Sequence, residues 1–158
     1  MRSRPSDSAD IGVSHHPPSG FGVRPQELTR LVAPNTLRAA KEPEERILTA
    51  LRNNGFRDEI IFGVKLALEE ALTNAVKHGN RGDASKHITV SYAVTPERAV
   101  IMVADEGPGF APDCVPDPTL DENLERPCGR GLMLMRAYMT RVEYSETGNC
   151  VWMLRENR

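Results

Sequence analysis

The stretch from Asp58 to His78 constrains this chain more than any other. Ile61, Val64, Leu68, Leu72 and Val76 recur there at three- and four-residue intervals, the period of one helix face, and Gly79 follows where such a helix would close. Asp58 is placed to cap its start. A long helix with a single apolar stripe needs a second layer to lie on. Two runs downstream supply it: Ile88 to Val94 and Ala99 to Ala104, separated by Thr-Pro-Glu-Arg, predict a hairpin of two strands.

The remaining elements extend the same plan. Glu27 to Ala33 is compatible with a strand ended by Pro34-Asn35, and Pro43 to Asn53 reads as a helix stopped by Asn54-Gly55. Leu132 to Met139 predicts a further helix, and Arg141 to Glu146 with Val151 to Arg155 a closing hairpin that turns at Gly148-Asn149. Residues 107 to 131 differ in kind, being rich in proline, poor in periodic apolar residues and framed by Gly107, Gly109, Gly129 and Gly131. A loop of that length in a small domain points to a functional lid. The fold class is α+β, a mixed, mainly antiparallel sheet with helices on one face. Residues 1–25 mix Ser, Pro, Asp and His without any period and read as a disordered tail, leaving residues 26–158 as one domain.

Composition narrows the function. At 158 residues, 39% hydrophobic and 27% charged, the chain has the make-up of one globular domain. A net charge of -2 offers no general field for nucleic acid or an anionic membrane, and no apolar run reaches the length of a membrane span, so a cytoplasmic location is expected. Cys114, Cys128 and Cys150 are too far apart for a Cys-x-x-Cys zinc site and read as reduced thiols; the His15-His16 pair lacks further ligands.

Glu70, Asn74 and His78 are spaced four apart on the long helix, off the apolar stripe, with Lys77 beside them. Asparagine is a poor helix former, so its regular interval from a carboxylate argues for a positional role over a merely solvated edge. Asp105 stands where a strand gives way to Gly107-Pro108-Gly109-Phe110; a buried carboxylate there can accept a hydrogen bond from an exocyclic amine. Gly129-Arg130-Gly131-Leu132 opens a helix, whose free N–H groups suit phosphate. Neither a P-loop nor a dinucleotide-binding glycine fingerprint occurs.

The helical E-x-x-x-N-x-x-K-H, the strand-ending D-x-G-x-G-F and the lid-ending G-R-G-L, in that order, resemble the N, G1 and G2 boxes of the GHKL (Bergerat) ATPases. The strings LALEEALTNAVKHGN, VADEGPGF and DPTLDENLERPCGRGLMLMRAYMTRVEY most resemble the anti-sigma-factor serine/threonine kinase family, over about Leu28 to Arg155. The resemblance implies a two-layer α/β sandwich with an ATP lid, using ATP and Mg2+. It implies that Asn74 holds the metal, Asp105 reads the adenine amine, and Glu70 is the general base on an incoming hydroxyl. Lys77, His78, Gly107, Gly109, Phe110, Gly129, Arg130, Gly131 and Leu132 fall at its other nucleotide-site positions. Where the family commonly has Gly-Thr before the last strand, this chain has Gly148-Asn149, so Asn149 takes that place.

The implied activity is phosphorylation of a STAS-type anti-anti-sigma partner together with sequestration of a sigma factor, by a homodimer without direct contact to nucleic acid or membrane. The competing reading is an ATP-gated binding switch that transfers no phosphate. A histidine kinase would carry its phosphoacceptor histidine on a helix ahead of the domain, where only His15 and His16 occur, and gyrase-like or mismatch-repair enzymes need further domains.

Overall fold

A computed structural model describes residues 16–108 and 127–158, with backbone alone for 127–132. The elements are β1 (Thr29–Pro34), α1 (Lys41–Asn53), α2 (Asp58–Thr73) continuing into a π-helical turn (Asn74–Gly79), β2 (His87–Val94), β3 (Arg98–Asp105), α3 (Pro127–Tyr138), β4 (Arg141–Tyr144) and β5 (Cys150–Glu156). The strands form one sheet in the order β1-β2-β3-β5-β4. Each of its pairings is antiparallel, so the sheet is not mixed as expected.

Strand β3 lies at the centre, and its alternation defines two layers. Ala99, Ile101 and Val103 join the large core with α1, α2 and α3, where Val64, Leu68 and Met135 are fully buried. Val100, Met102 and Ala104 face the other way, with Cys150, Trp152 and Leu154 of β5. A strand covered on both faces reads as an unbroken apolar run, which is what Ala99 to Ala104 shows.

The second face is covered by a segment that sequence reading assigns to the disordered tail. Phe21 is 0% exposed and inserts into this smaller cluster, flanked by Val23 and Leu28. The Arg141 guanidinium lies 5.0 Å from the Phe21 ring centroid and donates to the Ser19 carbonyl at 3.2 Å, while Arg98 donates to the Phe21 carbonyl at 3.1 Å. From His16 onward the chain is therefore a strap across the sheet; residues 1–15 lie outside the described residues. Pro25–Glu27 is a 3-10 turn closed by the Arg24 N–H donating to the Glu27 carboxylate at 2.8 Å, so the first strand starts only at Thr29 and runs on through Pro34. Proline is tolerated there because β1 is an edge strand.

Other boundaries shift for local reasons. Asn54 closes α1 with its side-chain amide on the Ala50 carbonyl at 2.8 Å. Asp58 is not a cap: Arg57 holds that position without a side-chain bond, and Asp58 is the first helical residue, where its charge suits the helix dipole. Helix α3 begins at Pro127 rather than near Leu132, proline being well suited to a first turn.

A carboxyl group is buried between α1 and α2. Glu44 is 3% exposed, hydrogen-bonds the carboxyl of Glu69, and has the Lys41 ammonium at 3.9 Å. Burial, then the bond to Glu69 and its charge, push Glu44 up to about 7, outweighing Lys41 and Lys65. The folded protein thus holds a proton that the unfolded chain releases near 4.5. Stability should fall as pH rises from about 4.5 to about 7 and level off above, with this group contributing a slope of up to ~1.4 kcal/mol per pH unit. Urea unfolding across this range should show the slope in the wild type and a flatter one in Glu44→Gln; identical slopes would mean the carboxyl is ionised in the fold.

Candidate active site

Helix α2 places Glu70 and Asn74 one turn apart, both half-buried, and neither side chain takes a hydrogen bond or ion pair among the described residues. Beyond Asn74 the helix widens. Asn80 N–H donates to the Ala75 carbonyl at 2.8 Å, five residues back, and Gly82 N–H to the Val76 carbonyl at 2.9 Å. In a π-turn four residues no longer complete a turn, so His78 leaves the line of Glu70 and Asn74 on which sequence spacing placed it. Lys77 and His78 are both exposed.

Across from this turn, β3 delivers Asp105 on the helix-facing side, continuing the alternation of Ile101 and Val103. Asp105 is 9% exposed, and its Oδ1 accepts from Gly107 N–H at 2.8 Å. Burial raises its pKa to about 6 against the lowering effect of that bond. The backbone of Gly79 lies flush against it: a Cβ there would stand 2.1 Å from Asp105 Oδ2, and one on Gly107 would stand 1.8 Å from the Gly79 carbonyl oxygen. Only glycine permits this approach at either position. The end of the N-box helix and the start of the G1 loop are therefore in direct contact.

The C-terminal hairpin closes the third side. Asn149 donates its side-chain amide to the Gly107 carbonyl at 3.2 Å and its backbone carbonyl accepts from Asp105 N–H at 2.9 Å, while Thr147 Oγ1 donates to Asn149 Oδ1 at 2.7 Å. Neighbouring Cys150 is buried, which pushes its thiol up to about 12 and leaves it unreactive. Gly109 and Phe110 lie outside the described residues, as does most of the expected lid. Gly129, Arg130, Gly131 and Leu132 fall inside the first turns of α3 rather than ahead of it, and their side chains lie outside the described residues.

Sequence reasoning misses Asn80. It is 0% exposed, its side-chain amide donates to Asn35 Oδ1 at 2.9 Å and to the His87 carbonyl at 3.0 Å, and its Oδ1 accepts from Glu106 N–H at 2.8 Å. An asparagine after a helix-ending glycine carries the ordinary signature of a turn residue, and nothing local marks it as buried. Among the described residues no three His, Cys, Asp or Glu side chains gather as a metal-ligand set. Asn74 offers a hard amide oxygen, which fits a magnesium ion that keeps most of its waters.

Residues 33–155 match the family described as the histidine kinase-like ATPase domain. The serine-protein kinase RsbW of Listeria monocytogenes serovar 1/2a is 34% identical over 106 residues, 63% of this chain and 68% of that protein. RsbW of Bacillus subtilis is 33% identical over 96 residues, 56% of this chain and 59% of that protein. For RsbW of Listeria monocytogenes serotype 4a the figures are 39% over 56 residues, 35% of this chain and 36% of that protein. The chain thus spans between about a third and two thirds of these relatives.

Since Asp105 is protonated below about 6 in the free protein, its capacity to accept from an adenine amine should fade there. Affinity for ATP should fall as pH drops through about 6 in the wild type, and Asp105→Asn should bind at least ~10-fold more weakly with no such step. Calorimetry at pH 5, 6 and 7.5 checks both; a flat wild-type profile would separate Asp105 from base recognition.

Proposed function

Because the chain belongs to the histidine kinase-like ATPase family, in its anti-sigma-factor serine/threonine kinase branch, we propose that it transfers the γ-phosphoryl group of ATP to a serine or threonine of an anti-anti-sigma partner and sequesters a sigma factor. The observation that carries the reading is the juxtaposition just described: a buried carboxyl at the end of β3, packed on the glycine that ends the helix bearing Glu70 and Asn74. The adenine amine would donate to Asp105, and the phosphates would extend along the π-turn toward Asn74, with exposed Lys77 nearby. Gly107 and Asn149 support the base end, and Gly109, Phe110, Gly129, Arg130, Gly131 and Leu132 belong to the lid side of the same proposal.

Phosphoryl transfer asks mainly for positioning and neutralised charge. Asn74 would hold the magnesium ion, which when bound neutralises phosphate charge. Glu70, one helical turn away and half-buried, is placed to orient the partner's hydroxyl and take its proton. The proposed enzyme works as a cytoplasmic homodimer, and no helix among the described residues is long and apolar enough to cross a membrane.

The test is the Glu70→Gln variant, incubated with ATP, magnesium and the candidate partner. ATP binding should stay within about threefold of wild type, while phosphorylation on a phosphate-affinity gel falls ~10²- to 10⁴-fold. Undiminished phosphorylation would remove Glu70 as base. A wild type that binds the partner in an ATP-dependent way yet never modifies it would favour the switch.

A further inference from the structure

Asn80 occupies a singular place in this fold. Its side chain has two donor hydrogens and one acceptor oxygen, all of them used, and each bond ends on a different segment: the loop after β1 through Asn35, the first residue of β2 through the His87 carbonyl, and the first residue after β3 through the Glu106 N–H. Asn35 is itself buried and donates onward to the Asp83 carbonyl at 3.1 Å, so the far end of the chain of bonds is fixed as well. The Glu106 carboxylate returns to His87 N–H at 3.0 Å, bracketing the same junction from outside.

The two ends of the nucleotide site meet at this residue. On one side its backbone N–H closes the π-turn on Ala75, one residue beyond Asn74. On the other, its side chain grips the peptide that joins Asp105 to Glu106. Gly79 also packs against Asp105 and Gly107 across the same gap, a contact that resists compression but carries no directional bond. We propose that Asn80 is a positioning residue that sets the separation between the phosphate end of the site at Glu70 and Asn74 and the base end at Asp105, so that one ATP molecule engages both at once. The inference rests on the nucleotide-site reading above and deepens it.

A merely structural asparagine and a positioning one differ in what their loss does to different ligands. Lower folded fraction weakens all nucleotides by one common factor, whereas a lost register spares AMP, which engages mainly the base end, and penalises ATP, which must span both. Binding of AMP and of ATP with magnesium should be measured by calorimetry on the full chain at 10 °C for wild type, Asn80→Ala and Asn35→Ala, with folding followed by circular dichroism. The expected result is a tenfold or greater fall in the ratio of ATP to AMP affinity in Asn80→Ala. In Asn35→Ala, where the bond to Glu106 survives without its outer support, the fall should be about threefold. Unchanged ratios in both variants would overturn the inference, and if Asn80→Ala does not fold, the ratio in Asn35→Ala decides it alone. A wild type that binds neither nucleotide would remove the underlying reading and the inference together, an outcome distinct from a wild type that binds both while the ratios stay fixed.

Discussion

A carboxyl group held out of water against bare glycine backbone governs this architecture. Asp105 ends the most deeply buried strand of the sheet, and its side chain faces the helical layer, where among the described residues Gly107 N–H donates to it. Such a group is costly to bury unless something pairs with it, and its raised pKa registers that incomplete pairing. An amine on a bound base would supply the missing partner. The glycines at 79 and 107 admit no side chain in that space, so the N-box helix and the G1 turn stay in direct contact.

Everything else in the fold keeps that junction in place. β3 is locked between β2 and β5 and covered on one side by α2 and on the other by the Phe21 strap. Helix α3 packs on α2, with Met135 fully buried and Tyr138 against Gly63, so it is docked on the helix that bears Glu70 and leads into Asn74.

The central hairpin was legible almost residue by residue, because two runs rich in β-branched residues and a Thr-Pro turn report the sheet directly: Ile88 to Val94 and Ala99 to Ala104 each fall one residue inside the strands observed at one or both ends. Helix α2 was legible through its apolar stripe, but its switch to a π-turn at Asn74 was not, since Val76 keeps the apolar phase while the hydrogen-bond register changes. The strap was missed because Phe21 and Val23 are isolated apolar residues among Gly, Pro and Ser, and burial without periodicity leaves no pattern. The burial of Glu44 leaves no mark in the sequence, being decided by the approach of α2. Within the candidate site, Asp105, Asn74 and Glu70 stood out through residue chemistry and spacing; the burial of Asn80 depends on three segments that only the fold brings together and had no such signal.

The central claim is that Asp105 recognises an amine at position 6 of a purine, and one comparison tests it without altering the protein. Guanine carries a carbonyl oxygen at that position, an acceptor facing an acceptor. Calorimetric titration at pH 7.5 with Mg-ATP and with Mg-GTP should give binding for ATP and at least ~10-fold weaker binding for GTP, since a buried group left unpaired discriminates strongly. Equal affinity for the two, or heat from neither, would contradict the account.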